Sequence, residues 1–264
     1  MSMRIVEKKL SKPEQCGYLS DRNWQLEYHF VSELTKREYT RLVESGWRKY
    51  GKALFRPRCP SCSECRPIRL IASQFEFNRS QKRTIKKNQD ILIKVESSKM
   101  DDEIIRLYYR HHQSRADEVG WPEPEPGQSL FHLWSLSDNP FPIERWCHYL
   151  DDELVAVCYV DPLSDGYSLV YSFYDPDYKS RSLGTWMILS VIEKAREVKL
   201  PHVYLGYYVK DCRSMNYKIK FTPNQIMNEE GLWIDSDTDT ISNSELASDS
   251  ADLDPGSGPD LDLA

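Results

Sequence analysis

The chain has no long apolar run. Its 264 residues contain no stretch of 18 consecutive apolar residues, so no transmembrane helix and no membrane partner are expected. The first fifteen residues, MSMRIVEKKLSKPEQ, lack the apolar segment of a secretory signal peptide. The seven cysteines are an odd number and lack the spacing of a secreted disulfide scaffold. These absences argue against the membrane-spanning and secreted classes and predict a protein of the reducing cytoplasm.

The end of the chain lacks basic side chains. Residues 235–264 contain nine Asp and Glu and no Lys or Arg, whereas the whole chain has 35 basic and 41 acidic residues. Without this segment the body carries a net charge of about +3. The segment is poor in aromatic residues and rich in Ser, Asp, Pro and Gly, so we predict that it is disordered. Two roles are open for it: a solubilising tail, or a mimic of a polyanion that docks on the basic body.

Helix and strand signals divide the first half of the chain. Thr35 and Glu38 fit a capping box, which predicts a helix of about ten residues from near Lys36 to Gly46. The Pro- and Cys-rich residues 51–70 read as a loop between strands, and the breaker-rich segment GWPEPEPGQS, residues 120–129, reads as a second loop. Between them a strand is predicted over 91–95 and a helix over 101–115. We place a domain boundary near residue 97.

The second half has a more regular pattern. It predicts strands at 145–150, 154–160, 167–174 and 202–208, a helix over 182–198, a short helix from about residue 211 and a last strand over 227–234. The order β-β-β-α-β-α-β is that of a GNAT-like acyltransferase domain. The sequence therefore predicts an α+β protein with a small N-terminal domain (1–97), a GNAT-like catalytic domain (98–234) and a disordered acidic tail (235–264).

The segment RSLGTW, residues 181–186, resembles half of a coenzyme A loop. GNAT acetyltransferases hold the coenzyme's pyrophosphate on a loop of the pattern Q/R-x-x-G-x-G/A. Arg181 and Gly184 fit that pattern, but Trp186 stands where the last small residue belongs. Arg181, Gly184, Ser182 and Thr185 are expected to form the N-terminus of a helix, and the free N–H groups there suit a phosphate. A coenzyme A-dependent N-acetyltransferase is thus one reading of the chain.

Five basic residues are concentrated in NRSQKRTIKKN, residues 78–88. They are Arg79, Lys82, Arg83, Lys86 and Lys87. In a helix their spacing places all five on one face, with no acidic residue among them. Such a face is either simply solvated or binds the phosphates of a nucleic acid, with marked salt dependence and no reading of base sequence.

Four cysteines form a candidate metal site. Cys59, Cys62 and Cys65 follow the pattern C-x₂-C-x₂-C, and Cys16 is a possible fourth thiol. Four thiolates suffice for a structural zinc ion or an iron–sulfur cluster. The alternative is a set of structural or redox-sensitive thiols.

Several segments together resemble one family. They are CGYLSDR (16–22), the GW-R-K-YGKALFRPRC run with its cysteines (46–65), NRSQKRTIKKN (78–88), YSFYDPD (171–177), RSLGTW (181–186) and YLGYYVKDCRSMNYK (204–218). In this order they resemble the aminoacyl-tRNA–protein transferases of the arginyltransferase superfamily, and the bacterial leucyltransferase branch is the closest in layout. The eukaryotic relatives have a cysteine where this chain has Leu19, which weakens the metal interpretation.

The resemblance implies an enzyme that moves an amino acid from its tRNA ester to the α-amine of a protein that begins with Asp or Glu, which marks the product for degradation. Leucine is the expected donor, from Leu-tRNA, and arginine is the alternative. A third reading is a non-catalytic RNA-binding module with a metal knuckle. Because the aminoacyl ester is already activated, the chemistry needs positioning and oxyanion stabilisation and requires no cofactor.

Roles follow for individual residues under this resemblance. The basic helix face, residues 181–185 and Lys210 are expected to bind the tRNA. An arginine is expected to bind the acceptor's carboxylate, because its planar fork binds carboxylates bidentately; the candidates are Arg22, Arg58, Arg66, Arg69 and Arg213. Asp175 is expected to hold or deprotonate the α-amine, although a turn-forming role is the alternative. Tyr207 is expected to donate to the tetrahedral oxygen or to stack on the terminal adenine.

Overall fold

A computed structural model describes residues 3–97 and 100–236. The predicted disorder of the tail lies outside these residues, apart from the first two residues of the segment. The described chain mixes helix and strand, as predicted. Its strands are β1 (Arg4–Leu10), β2 (Glu14–Gln15), β3 (Asn23–Trp24), β4 (Leu26–Glu33), β5 (Arg48–Tyr50), β6 (Ala53–Pro57), β7 (Arg66–Ile71), β8 (Leu92–Ser97), β9 (Glu144–Leu150), β10 (Glu153–Pro162), β11 (Gly166–Tyr174), β12 (His202–Tyr208), β13 (Asn224–Met227) and β14 (Trp233–Asp235). Its helices are α1 (Lys36–Glu44), α2 (Arg79–Lys87), α3 (Asp102–Val119), α4 (Pro126–Ser137), α5 (Leu183–Glu197) and α6 (Arg213–Asn216).

The smaller of the two main sheets has the strand order β1-β4-β6-β5, with all neighbours antiparallel. Helix α1 packs beside it, and its capping box is confirmed: the Thr35 side chain accepts from the Glu38 N–H, and the Glu38 side chain accepts from the Thr35 N–H. Tyr39 and Val43, on the inner face of the helix, are buried together with Trp47. This packing fixes the position of β5, which begins one residue after Trp47.

The larger sheet has the strand order β14-β13-β7-β12-β11-β10-β9-β8. It confirms the predicted order of elements in the second half, except that the last predicted strand is divided into β13 and β14. The sheet takes β7 and β8 from residues before 97 and its other strands from residues after 97. The division of the chain into domains at residue 97 stays a prediction.

Helices cover both faces of the larger sheet. Alternate residues of β10 point to opposite faces: Ala156 and Cys158 pack in the cluster that contains α5, while Val157 and Tyr159 pack with α3 and α4. Helix α4 was not predicted. It begins at Pro126, within the segment read as a loop, because proline fits the first position of a helix. Within residues 3–97 and 100–236, no helix is both long and apolar enough to cross a membrane.

Strands β11 and β12 are parallel and separate along their length. They pair only at residues 166–168 of β11, and the remaining residues of the two strands have no mutual pairing. The paired end is tight: a Cβ atom added to Gly166 would lie 2.2 Å from the carbonyl oxygen of His202. Helix α5 connects the two strands, so its N-terminus lies at the end where they have separated. The fold therefore opens a gap within a sheet that is otherwise continuous.

Candidate active site

A cavity of about 150 Å³ lies at the gap between β11 and β12. Residues 169–172 of β11 and 205–207 of β12 line it, Tyr108 of α3 and His132 of α4 add to its wall, and β5 contributes Arg48, Lys49 and Tyr50. Leu26, Phe55, Ile188 and Met215 give the lining a large apolar share. The cavity thus combines an apolar interior with a few polar groups, as sites for small groups do.

Three cations line this cavity, namely Arg48, Lys49 and Lys218, and all three are buried. No Asp or Glu is among the described residues that line it. Burying a charge is unfavourable unless a partner compensates for it. The balance of charge around the cavity therefore favours an anionic group inside it.

Arg48 is held by the strand that forms one side of the gap. Its Nη1 donates to the Ser168 hydroxyl at 2.8 Å, and its Nη2 donates to the carbonyl oxygen of Leu169. Its guanidinium also packs against Gly206 of β12: a Cβ at Gly206 would lie 3.5 Å from the Arg48 Nε. These contacts fix the plane of the guanidinium, and the described chain gives Arg48 no carboxylate partner.

Lys49 has such a partner. Its Nζ lies 3.2 Å from Asp161 Oδ1 and donates to Asn139 Oδ1 at 2.5 Å, while Asp161 Oδ2 accepts from the Tyr39 hydroxyl at 2.6 Å. Burial lowers the pKa of Lys49, and the neighbouring Asp161 opposes that change. Because Asp161 balances Lys49, the uncompensated charge of β5 is that of Arg48.

Lys218 and Tyr207 form another part of the cavity wall. The Lys218 Nζ donates to the carbonyl oxygen of Tyr207 at 2.9 Å, and the Tyr207 hydroxyl donates to the carbonyl oxygen of Gly46 at 2.8 Å. Burial raises the pKa of Tyr207 well above its ordinary value. Tyr207 therefore lines the cavity, as its expected role requires, but its hydroxyl is engaged with the backbone; its role in catalysis stays a prediction.

Aromatic residues of α3 and β11 form a third wall. The His112 Nε2 lies 2.7 Å from the Tyr171 hydroxyl oxygen, and the His112 ring stacks on Tyr108 with centroids 4.0 Å apart. Burial lowers the pKa of His112 to about 4, so this ring is neutral at pH 7. No pattern in the sequence singles out His112, because nothing in the sequence links α3 to β11.

The basic face of α2 is present as predicted. Asn78 and Gln81 cap the helix, and Arg79, Lys82, Arg83, Lys86 and Lys87 are all exposed along it. The capping box uses Asn and Gln side chains, so no acidic residue is needed at the N-terminus. The structure thus confirms the shared face of these five side chains, while their binding to tRNA stays a prediction.

The structure joins this helix to RSLGTW. The Asn88 side chain donates to the carbonyl oxygen of Arg181 at 2.9 Å, and the Arg181 Nη1 donates to the carbonyl oxygen of Lys87 at 3.0 Å. Arg181 also pairs with Asp90 at 2.8 Å. Two segments that were separately predicted to bind phosphates are therefore neighbours.

The start of α5 differs from a coenzyme loop. Ser182 adopts a left-handed conformation with φ of 55°, and α5 begins at the next residue. Gly184 is buried, Thr185 is half-buried, and Trp186 lies inside the main hydrophobic cluster with 6% of its surface exposed. Trp186 is thus a core residue that faces away from solvent.

Asp175 lies outside the cavity lining. Its carboxylate accepts from Arg110 at 2.7 Å and from the N–H of Asp177 at 2.9 Å, which caps the 3₁₀ turn Pro176–Arg181. Burial raises its pKa. These contacts describe a turn-forming residue, which was the alternative interpretation; its action on the α-amine stays a prediction.

The arginines expected to bind the acceptor are dispersed: Arg22 hydrogen-bonds to Cys62 of the cavity lining, whereas the described partners of Arg58, Arg66 and Arg69 lie outside that lining. Arg58 pairs with Glu27 at 3.0 Å, Arg66 donates to the carbonyl oxygen of Met227 at 3.1 Å, and Arg69 donates to Gln225 at 2.7 Å. Arg22, Lys210 and Arg213 are at least partly exposed. Arg48, which no sequence argument selected, is the arginine that lines the cavity.

The four cysteines expected to bind metal, Cys16, Cys59, Cys62 and Cys65, line one side of the cavity. Burial raises the pKa of Cys65 to about 12, and the other three thiols add to the rise. Within residues 3–97 and 100–236, however, no group of three or more Cys, His, Asp or Glu side chains is arranged to hold a metal ion. A metal at these four thiols stays a prediction, and no step of the chemistry is assigned to one.

Comparison with known proteins places these features in a family. The N-terminal part of the arginine-tRNA-protein transferase family matches residues 14–83, and its C-terminal part matches residues 103–228. Among solved structures, that of L-PGS from Bacillus licheniformis aligns with a TM-score of 0.43 and 11% identity over 74% of this chain and 73% of that chain. FemX aligns with a TM-score of 0.40 and 8% identity over 78% and 79%. TM-scores this low do not establish a common fold.

Curated relatives cover most of the chain. An aspartate/glutamate leucyltransferase of Campylobacter jejuni is 34% identical over 81% of this chain and 90% of its own length. Those of Marinobacter nauticus and Nitrosococcus oceani are 36% and 37% identical, over 86% and 84% of this chain and 94% and 92% of their own lengths. The resemblance seen in the sequence is confirmed, and the protein is an aminoacyltransferase that belongs to the arginine-tRNA-protein transferase family.

Proposed function

We propose that this protein transfers leucine from Leu-tRNA to the N-terminal α-amine of proteins that begin with Asp or Glu, and thereby marks them for degradation. The relatives above, which are named aspartate/glutamate leucyltransferases, support leucine over arginine as the donor. The proposed specificity for an acidic acceptor is supported by one observation: three buried cations line the cavity, and its described lining contains no carboxylate. The expected place of action is the cytoplasm.

Arg48 is the proposed partner of the acceptor's acidic side chain. Its guanidinium is fixed by Ser168 and Leu169, and a fixed planar fork recognises a carboxylate with little loss of side-chain entropy. An uncharged acceptor side chain would leave this buried cation uncompensated. Lys218, which also lines the cavity, adds to the positive potential.

The donor is proposed to enter through the gap between β11 and β12. This geometry is the support for a GNAT-like fold, since the separated parallel strands give an acyl group access to the interior of the sheet. The apolar lining suits a leucine side chain. The α2 face and residues 181–185 lie toward the entrance of the gap and are proposed to bind the phosphates of the acceptor arm.

The chemistry is one acyl transfer. The neutral α-amine attacks the ester carbonyl carbon, a C–N bond forms, and the C–O bond to the terminal ribose breaks. The nitrogen loses a proton and the ribose oxygen gains one. Because an unperturbed α-amine has a pKa of about 8, roughly a tenth of it is neutral at pH 7, so positioning is the main requirement. Asp175 and Tyr207 stay the proposed groups for amine and oxyanion, and no cofactor is invoked.

A transfer assay with purified protein tests this function. Labelled Leu-tRNA, Arg-tRNA and acetyl-coenzyme A would each be offered to peptides that begin with Asp, Glu, Gln, Lys or Ala. We expect leucine on the Asp and Glu peptides alone. Transfer of arginine to the same peptides would show that arginine is the donor amino acid. Transfer of label from acetyl-coenzyme A would overturn the proposal that the donor is a tRNA.

A further inference from the structure

The basic face of α2 has few partners among residues 3–97 and 100–236. Among the described residues, Arg79, Lys82, Arg83 and Lys86 form no salt bridge, while Lys87 donates to the carbonyl oxygen of Ser180. Helix α2 contains no acidic residue. Five adjacent like charges repel one another, so a flexible polyanion that reaches this face would gain free energy by neutralising them.

The chain itself carries a suitable polyanion. After Ser236 it continues for 28 residues that contain eight acidic side chains and no Lys, Arg or His. The acidic residues are Asp237, Asp239, Glu245, Asp249, Asp252, Asp254, Asp260 and Asp262. Successive acidic residues are two to six positions apart, so the negative charge is spread along the segment and does not form one cluster. This segment also lies beyond the family match, which ends at residue 228.

The segment is long enough to reach α2. It starts beside β14, where the Ser236 N–H donates to the carbonyl oxygen of Asn224. Helix α2 packs on α5, which covers one face of the same sheet, and eight strands span only about 35 Å. A segment of 28 residues spans at most about 90 Å, which exceeds the width of this sheet. Tethering gives such a segment an effective concentration on the order of millimolar at sites within this range.

We propose that residues 237–264 dock on the basic face of α2 and compete there with the tRNA. The docking itself depends only on the charges of the two segments; the competition rests on the proposed function of α2. The segment then sets a threshold: a nucleic acid must offer more phosphates than the tethered segment offers carboxylates, so weak, non-specific RNA is excluded while a full acceptor arm displaces it.

The first experiment measures tRNA affinity in the full chain. In one variant all eight acids of the segment become Asn or Gln; in the matched control the same 28 residues are placed in scrambled order, which keeps the charge. At about 50 mM salt we expect the neutral variant to bind deacylated tRNA roughly tenfold more tightly than the parent, and the control to bind like the parent. The difference should shrink as salt rises. Equal affinity of parent and neutral variant at low salt would overturn the proposal.

The second experiment tests docking without tRNA. A labelled peptide of residues 237–264 is added to the neutral variant, with and without K82E/R83E. The matched control is K36E/R37E, which reverses the same charges at two exposed positions of α1. We expect peptide binding that K82E/R83E abolishes and K36E/R37E retains. Loss with both pairs, or with neither, contradicts docking on α2. Peptide binding at α2 that tRNA fails to displace would instead uphold docking and contradict the role of α2 in the proposed function.

Discussion

The protein presents its cations in two different ways. Those of α2 are exposed, adjacent and without a salt bridge among the described residues, while those of the cavity are buried and individually held. Water and salt screen the first set, so its effect on a partner is the sum of many weak interactions and depends on salt. The second set acts over a few ångströms in a low dielectric, where one missing or extra charge decides whether a group binds.

The difference assigns different tasks to the two regions. Exposed charges attract and orient a large polyanion without reading its chemistry, whereas a fixed buried guanidinium distinguishes a carboxylate from an amide of the same shape. Affinity for the donor and selectivity for the acceptor are therefore expected to change independently. The experiments below test that separation.

The largest effect is expected for Arg48→Met. Removing the buried fork should lower kcat/KM for a Glu peptide by about 100-fold and change a Gln peptide by less than about threefold, because only the carboxylate loses a charged hydrogen-bond partner. Arg145→Met is the matched control: Arg145 is equally buried, pairs with Glu96 at 2.8 Å and does not line the cavity. It should lose stability with an unchanged Glu-to-Gln ratio. If Arg48→Met kept the Glu-to-Gln ratio of the parent protein, Arg48 would be excluded as the acceptor's partner.

Acid should destabilise the buried region, because its histidines gain protons more readily in the unfolded state than in the folded state. Burial lowers the pKa of His111 to about 3 and of His112 and His148 to about 4, whereas unfolded histidine titrates near 6.5. The unfolded state therefore binds more protons between pH 6.5 and 4, so stability is fully present above pH 6.5 and is lost as the pH falls toward 4. We expect the thermal midpoint to drop on the order of 10 °C from pH 7.5 to 4.5. His148→Gln should reduce this drop; an unchanged drop would exclude His148 as a contributor to it.

Charge reversal on α2 should affect only the donor. K82E/R83E is expected to weaken tRNA binding about tenfold at low salt and to reduce the slope of log K against log salt, with the Glu-to-Gln ratio unchanged. K36E/R37E on α1 has the same net charge and should bind nearly as the parent does. A loss of acceptor selectivity in K82E/R83E would show that the two regions are coupled.

The smallest effect concerns the thiols. Because burial and the neighbouring thiols raise the pKa of Cys65 to about 12, its thiolate fraction at pH 8 is small. Alkylation followed by mass spectrometry should therefore modify Cys65 much more slowly than a free thiol in a model peptide, without a change in tRNA binding. Rapid modification of Cys65 in the folded protein would contradict its burial.

Local signals in the sequence were enough for most of the helices. The capping box at Thr35, the five basic residues on one face of α2 and the apolar periodicity of α5 each arise from neighbours in the chain, and each was found as predicted. Helix α4 was not predicted because Pro122 and Pro124 are typical of a loop. Pro126 follows them closely, and the sequence does not show that this third proline starts a helix.

The cavity depends on contacts that no local pattern contains. Arg48 is one of several arginines in the sequence, and it gains its importance only because β5 lies beside Ser168 and Gly206, 120 and 158 positions away. The predicted acceptor arginines were chosen for their motif segments, and β13 and Glu27 hold three of them elsewhere. Identifying Arg48 requires the contact of β5 with β11 and β12, which is a long-range feature of the fold.

The burial of Trp186 limits how this scaffold can change its donor. A glycine at this position would restore the small residue of a coenzyme loop, but it would also empty a large volume of the core, at a cost of about 3–5 kcal/mol. A single substitution therefore does not lead from this chain to a coenzyme-binding acyltransferase through a stable intermediate. The core around residue 186 has to be repacked first. The buried Trp186 ring therefore hinders an evolutionary change of the acyl carrier from tRNA to coenzyme A.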